Sequence, residues 1–220
     1  VPHRIGWRLE RRLGAGAAGV SFLARSNEGE QRTFKFANGE TGLRGLKREV
    51  ALARYIQAVK PDLHGVAHAI EWNLAQPPFF LERTYFADGH CADWASARGG
   101  LDALPLGERL ALCADLCDTV AGLHEIGVIH KDLKPENLFP VQAADGRWHL
   151  VLADLGAGEA AQSPRLVELG ITMSLAATVT SQQAGSLLYI APEVIAGEMP
   201  TQRSDVFALG VLLYQFVVGN

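Results

Sequence analysis

Cysteine is scarce in this chain. Three in 220 residues, an odd number, do not build a disulfide framework. Cys113 and Cys117 stand four apart and could share a helix face as a metal pair. No second ligand pair is spaced to complete such a site, so core packing is the reading preferred here. An excess of one charge is also lacking. Twenty lysines and arginines face 24 acidic residues, and a net charge of -4 gives no general reason to expect nucleic-acid or anionic-membrane binding. No secretory signal opens the sequence, and Val1 in place of Met suggests a trimmed or excised chain. The apolar stretch Val206–Val218, with Gln215 its one strongly polar side chain, is thirteen residues long. That is too short to cross a bilayer and predicts a buried core helix. There is no internal repeat, and no polar low-complexity tract precedes Asp154. What is left is a chain long enough for one or two domains with a substantial core.

The apolar pattern divides that length in two. From Trp7 to about Phe36 it reads as extended segments broken by turns, with Val20, Phe22 and Ala24 alternating with Ser21, Leu23 and Arg25. Ser26-Asn27-Glu28-Gly29 is a turn cluster, and Thr33–Phe36 forms the next strand. A helix is expected from Leu43 to Ile56, then strands within residues 65–86 that include Phe79-Phe80-Leu81. Beyond Asp88-Gly89 the pattern turns helical. Leu106–Ile126 carries Leu110, Cys113, Leu116, Cys117, Val120 and Leu123 at three- and four-residue steps.

The chemistry is concentrated at His130-Lys131-Asp132-Leu133-Lys134-Pro135-Glu136-Asn137, followed by Asp154-Leu155-Gly156. Asp132 is an acceptor able to take a hydroxyl proton, and Lys134 a cation able to offset charge on a moving phosphate. Asn137 and Asp154 offer the hard oxygen donors that Mg²⁺ prefers. Upstream, Gly14-Ala15-Gly16-Ala17-Ala18-Gly19 fits G-x-G-x-x-G. The strand-like Val20–Ala24 that follows disfavours a dinucleotide-binding turn, which needs a helix there. A flexible hairpin, or a strand-turn-strand lid over phosphates, remains. Lys35 sits between Phe34 and Phe36, where an edge-strand lysine covering apolar surface is the plain alternative to a functional cation. Glu49 follows 14 residues later on the expected helix, free to pair with Lys35 or with its neighbours Lys47 and Arg48.

In this order the motifs resemble the catalytic domain of the eukaryotic-type protein serine/threonine kinases, and the alanine-rich sequence is similar to bacterial members. The resemblance runs from Gly14 to about Gly219. It implies an α+β, bilobal protein-kinase-like fold: a small, mainly β N-lobe with one helix over 1–86, and a mainly α-helical C-lobe over 87–220, incomplete at its C-terminus. It implies ATP and Mg²⁺, and transfer of the γ-phosphoryl group to serine or threonine of a protein substrate. Asp132 and Lys134 would be catalytic. Gly14, Gly16, Gly19, Lys35 and Glu49 would hold ATP, and Asn137 and Asp154 the metal. His130 would pack against the Asp154 turn, with metal ligation as the alternative. Asp205 would pin the catalytic loop through its backbone N–H groups, a helix N-cap being the plainer role for Ser204 or Asp205. Gly185–Glu193 resembles the closing motif G-T-x-x-Y-x-A-P-E, with Ser186 in the threonine's place.

Several positions depart from the family pattern. Ser21 stands where valine is usual, Lys131 replaces a frequent arginine, and Leu155 replaces phenylalanine. The hinge fits two registers, one with Leu81 guarding the back pocket and Glu82 opening the hinge, the other shifted by two to bring in Tyr85. Ser163, Thr172, Ser174, Thr178, Thr180 and Ser181 are candidates for autophosphorylation. With later helices and the usual partner of Glu193 absent, the 220 residues are expected to be unstable or self-associated. A cytoplasmic location follows, either of this chain or of the cytoplasmic part of a larger protein. No nucleic-acid partner and no membrane contact of this segment are expected. A catalytically weak pseudokinase acting as a scaffold and a small-molecule phosphotransferase are the alternatives; Ala191-Pro192-Glu193 and Asp205 speak against the second.

Overall fold

In the computed structural model, residues 1, 3–16, 19–160 and 184–219 are described. Five antiparallel strands form one sheet: β1 (Trp7–Gly16), β2 (Gly19–Ser26), β3 (Gln31–Ala37), β4 (Ala69–Asn73) and β5 (Phe80–Thr84), in the order β1-β2-β3-β5-β4. The two-residue period of a strand sorts β3 into two faces. Phe34 and Phe36 join Trp7, Ala24 and Phe80 in an aromatic cluster on one side. Thr33 and Lys35 point to the other. Helix α1 (Gly39–Val59) lies on that second side and packs Leu46 and Val50 against Leu81 of β5. It begins four residues earlier than the apolar stripe predicts, with Gly42 and Gly45 inside its first turns.

The rest of the chain is built on α3 (Leu106–Glu125), preceded by the short α2 (Cys91–Ser96). Gly127, at φ 75°, turns the chain out of α3 in the left-handed conformation that suits glycine. The two-residue β6 (Val128–Ile129) follows, then the hairpin β7 (Leu138–Gln142) and β8 (Trp148–Leu152). β9 (Glu159–Ala160) pairs with β6. After α4 (Pro192–Ile195), helix α5 (Gln202–Val218) crosses behind α3. One large core joins α1, α3, β8 and α5 through Leu52, Leu116, Leu152 and Leu212.

The expected core helix is α5, but it is buried on one side only. Ala208, Leu209, Leu212 and Phe216 face the core, whereas Val206, Phe207, Tyr214, Val217 and Val218 are exposed. Its N-cap is Thr201, joined to Ser204 in a reciprocal capping box. Ser204 and Asp205 are therefore not the cap, which leaves Asp205 for other work. Among the described residues no helix is long and apolar enough to cross a membrane. The hydroxyl candidates from Ser163 to Ser181 lie outside the described residues.

Candidate active site

A cavity of about 470 Å³ opens between the five-stranded sheet and the α3 unit. Gly14 and Ser21 line it from β1 and β2, Thr33 from β3, and Asn137, Phe139 and Asp154 from below. Behind its Asp154 and Arg83 wall lies a buried ion-pair network. Lys35, buried to 6 % exposure, donates to Glu49 Oε2 at 3.0 Å and to Asp154 Oδ1 at 2.7 Å. The lysine is thus no edge-strand surface residue, and Glu49 reaches it rather than pairing along its own helix. Burial alone would push the Lys35 ammonium down; Asp154 and Glu49 outweigh it and the pKa is raised. Burial likewise works against ionised Asp154, and the Lys35 and Arg83 cations overcome it, holding that carboxyl well below its ordinary value.

The loop from His130 to Asn137 forms the floor. Lys134 Nζ lies 2.8 and 2.7 Å from the two oxygens of Asp132. Asn137 Nδ2 donates to the Asp132 carbonyl at 2.7 Å and to its Oδ2 at 2.9 Å. Both contacts use the amide nitrogen, so the Asn137 oxygen keeps its acceptor capacity. Asp205, buried on α5, accepts the N–H groups of His130 and Lys131 at 2.8 Å each, and His124 Nε2 lies 3.0 Å away. Charge-assisted bonds of this kind fix a loop strongly. They hold Lys131 at φ 69°, a left-handed conformation uncommon for a side-chain-bearing residue. His130 is fully buried; its Nδ1 accepts from Asp132 N–H, which leaves Nε2–H to donate to the Ala153 carbonyl at 3.2 Å. That is structural packing beside the Asp154 turn, not metal ligation.

The Asp154 turn is fixed from three sides. Gly156 N–H donates to Asp154 Oδ1, Arg48 of α1 donates to the Gly156 carbonyl at 3.0 Å, and Leu155 is buried in the main core. The glycine-rich hairpin is more uneven. A Cβ on Gly19, at φ 156°, would lie 2.0 Å from the Phe36 carbonyl oxygen, so the fold itself demands glycine there. At Gly14 and Gly16 an added Cβ meets nothing within 4 Å.

The sheet register resolves the hinge. Lys35 pairs with Leu81 and Thr33 with Arg83. Leu81 is sealed against Leu46 and Val50 behind the cavity, and Glu82 points to the opposite face, where it bonds Arg4 at 2.7 Å. The cavity is lined instead by Arg83 through Gly89. The hinge therefore follows the register shifted by two, with Tyr85 and Phe86 in it, and Arg83 stands at its inner end. Two participants escaped the sequence reading. Phe139 stacks on Phe86 with centroids 4.7 Å apart, and Arg83 Nη1 donates to Glu49 Oε1 at 2.6 Å. Lys131, which stands where the family pattern has a frequent arginine, is paired with Glu159. Glu193 accepts from Ser204 Oγ at 2.7 Å. Burial raises the pKa of the thiols of Cys113 and Cys117, as core packing requires.

The donor set suits magnesium. Mg²⁺ is commonly held by one or two protein oxygens completed by phosphate and water. Asn137 and Asp154 supply that number at one cavity wall, and among the described residues no cluster of three or more histidine, cysteine or acidic side chains forms a metal cage.

Comparison with known proteins agrees with this geometry. The protein kinase domain profile matches residues 7–220. The probable serine/threonine-protein kinase PkwA of Thermomonospora curvata is 32% identical over 96% of this chain and 26% of its own length. The serine/threonine-protein kinase PkaA of Streptomyces coelicolor is 29% identical, over 96% of this chain and 38% of that protein. PknJ of Mycobacterium tuberculosis, another serine/threonine-protein kinase, is 29% identical over 98% of this chain and 34% of its own length. The chain thus spans between about a quarter and two fifths of these relatives. A profile match of that extent, on a fold with this cleft, makes the chain a member of the protein kinase domain family.

Proposed function

We propose that this chain transfers the γ-phosphoryl group of ATP to serine or threonine hydroxyls of a protein substrate. The observation that supports this most is a cavity lined by Asn137 and Asp154, with Asp132 and Lys134 hydrogen-bonded to Asn137 and to each other, and Lys35, 119 residues from Asp154, joining that carboxylate to Glu49. Residues 1–86 form the nucleotide-binding unit and 87–220 the unit that carries the loop. Lys35, steadied by Glu49, binds phosphate oxygens beneath the hairpin of Gly14, Gly16 and Gly19. Open space at Gly14 and Gly16 lets backbone N–H groups approach those oxygens. Asn137 and Asp154 would hold Mg²⁺, which would neutralise phosphate charge when bound.

Asp132 orients the acceptor hydroxyl and takes its proton. Lys134, less than 3 Å away, stabilises the Asp132 carboxylate before transfer and offsets charge at the transferring group during it. Phe86 and Phe139, stacked on each other in the cavity lining, offer the adenine ring of ATP an apolar, aromatic surface. The test is incubation with γ-labelled ATP, Mg²⁺ and a generic protein substrate. Label on serine or threonine is expected. Absence of label on any protein, with nucleotide still bound, makes the chain a binding module; label appearing only on small hydroxyl compounds moves it to another phosphotransferase class.

A further inference from the structure

Glu49 serves two cations. Its Oε2 takes Lys35 and its Oε1 takes Arg83, and its side chain is only 5% exposed. The sheet makes this possible. Because Thr33 pairs with Arg83 and Lys35 with Leu81, residues 81 and 83 project to the same face as Lys35, toward α1. Leu81 contributes an apolar contact to Leu46 and Val50 there, and Arg83, one strand repeat on, contributes a charge. Arg83, Glu49, Lys35 and Asp154 form an alternating row of cation and anion whose two ends, Arg83 and Asp154, line the cavity.

The consequence lies in what happens when Lys35 is drawn to an anionic ligand, a role that rests on the function proposed above. A carboxylate this buried is costly to leave without a partner. With an apolar residue at position 83, Glu49 would depend on Lys35, and α1 would lose its ion pair to the sheet whenever Lys35 turned away, while keeping the Arg48 bond to the Gly156 carbonyl. We propose that Arg83 is a positioning residue that gives Glu49 a second cation, so that α1 stays docked on the sheet whatever Lys35 binds.

Redundancy of this kind has a signature in double substitution. Hydrogen exchange of the α1 amides from Leu46 to Ile56 is compared in the wild type, Lys35→Met, Arg83→Met and the double variant, all without nucleotide. Each single variant is expected to raise α1 exchange by no more than about threefold, because one cation remains on Glu49. The double variant should exceed the product of the singles by about tenfold or more. Lys35→Met with Arg83→Lys restores a cation and should recover most of the protection. Amides of β2 and β3 report whether any loss is local to α1. Additive effects in the double variant overturn the proposal. Where the double variant loses β2 and β3 protection as well, the lysine rescue decides: recovery supports the second-cation role, and failure to recover overturns it. No step needs ATP turnover, so a chain that transfers no phosphate would fail the kinase reading and still test this one.

Discussion

The two halves of the site are held together by different physics. Beneath the cavity, the loop from His130 to Asn137 is fixed mainly by hydrogen bonds from its backbone to one buried carboxylate, Asp205, and by the packed His130. Above it, the region behind the cavity is fixed by a row of paired charges on separate elements, Arg83, Glu49, Lys35 and Asp154. Backbone donors cannot find another partner once buried, so the lower half has one arrangement and a single point of failure. Charged side chains with two partners, as Glu49 and Lys35 have, can give one up at modest cost. The upper half can therefore rearrange around a charged ligand while the reacting groups below stay put, a division that suits electrostatic preorganisation.

The comparison breaks most visibly at Asp132. Asp132→Asn keeps the loop's shape, since Asn137 still has the residue-132 carbonyl to bond, and removes the proton acceptor. Phosphate transfer should fall by about 10²–10⁴-fold. Nucleotide affinity, measured by titration calorimetry, should stay within about threefold of the wild type, because the phosphate-facing groups are elsewhere. Comparable turnover in the two proteins would remove Asp132 from the mechanism.

Asp205→Ala attacks the lower half's single anchor. It strands the buried N–H groups of His130 and Lys131, at about 1–3 kcal/mol for each unsatisfied donor. The thermal midpoint should drop by several degrees and transfer should fail with it. Lys35→Met is the matching insult above. Transfer should suffer, yet the midpoint should fall less than for Asp205→Ala, since Arg83 remains on Glu49 and Asp154, partly exposed, can be hydrated. Equal destabilisation by the two substitutions would erase the distinction between the halves.

That distinction was only half legible in the sequence. The lower half could be read because its parts are nearly contiguous: eight residues carry Asp132, Lys134 and Asn137, and their spacing alone suggests the chemistry. The pairing of Lys35 with Glu49 was implied by the family resemblance, while the residues themselves left Glu49 free to pair with Lys47 or Arg48; the fold chooses Lys35. Arg83 was not legible. An arginine ending a strand ordinarily lies in solvent, and only pairing with Thr33 on β3 decides that it faces α1. The hinge was ambiguous for the same reason. Phe79-Phe80-Leu81 has no alternation of its own, so its register is set by the neighbouring strand rather than locally. The partner taken by Lys131, Glu159, is 28 residues away across the small β6–β9 pair, and nothing local announces it. Gly14, Gly16 and Gly19 look alike in sequence, yet only Gly19 is imposed by the fold's own sterics.

The smallest expected effect is a flat line, and it tests whether the upper row is ionised throughout the neutral range. Asp154 has its carboxyl pKa lowered, so the stability it contributes is present above its unfolded value of about 3.9 and is lost as pH falls through the folded one. Lys35 has its pKa raised, so its contribution is present below its unfolded value of about 10.4 and is lost as pH rises through the folded one. Between about pH 6 and pH 9 neither group changes charge in the folded or the unfolded chain. The stability difference between the wild type and Lys35→Met, from denaturant unfolding, should therefore be constant across that window. Below about pH 4 it should narrow, because Asp154 is the more strongly depressed in the wild type, where Lys35 adds to Arg83 and the Gly156 N–H. A difference that slopes through neutral pH would mean that a member of the row titrates there, and the upper half would then be held by something other than a row of permanent charges.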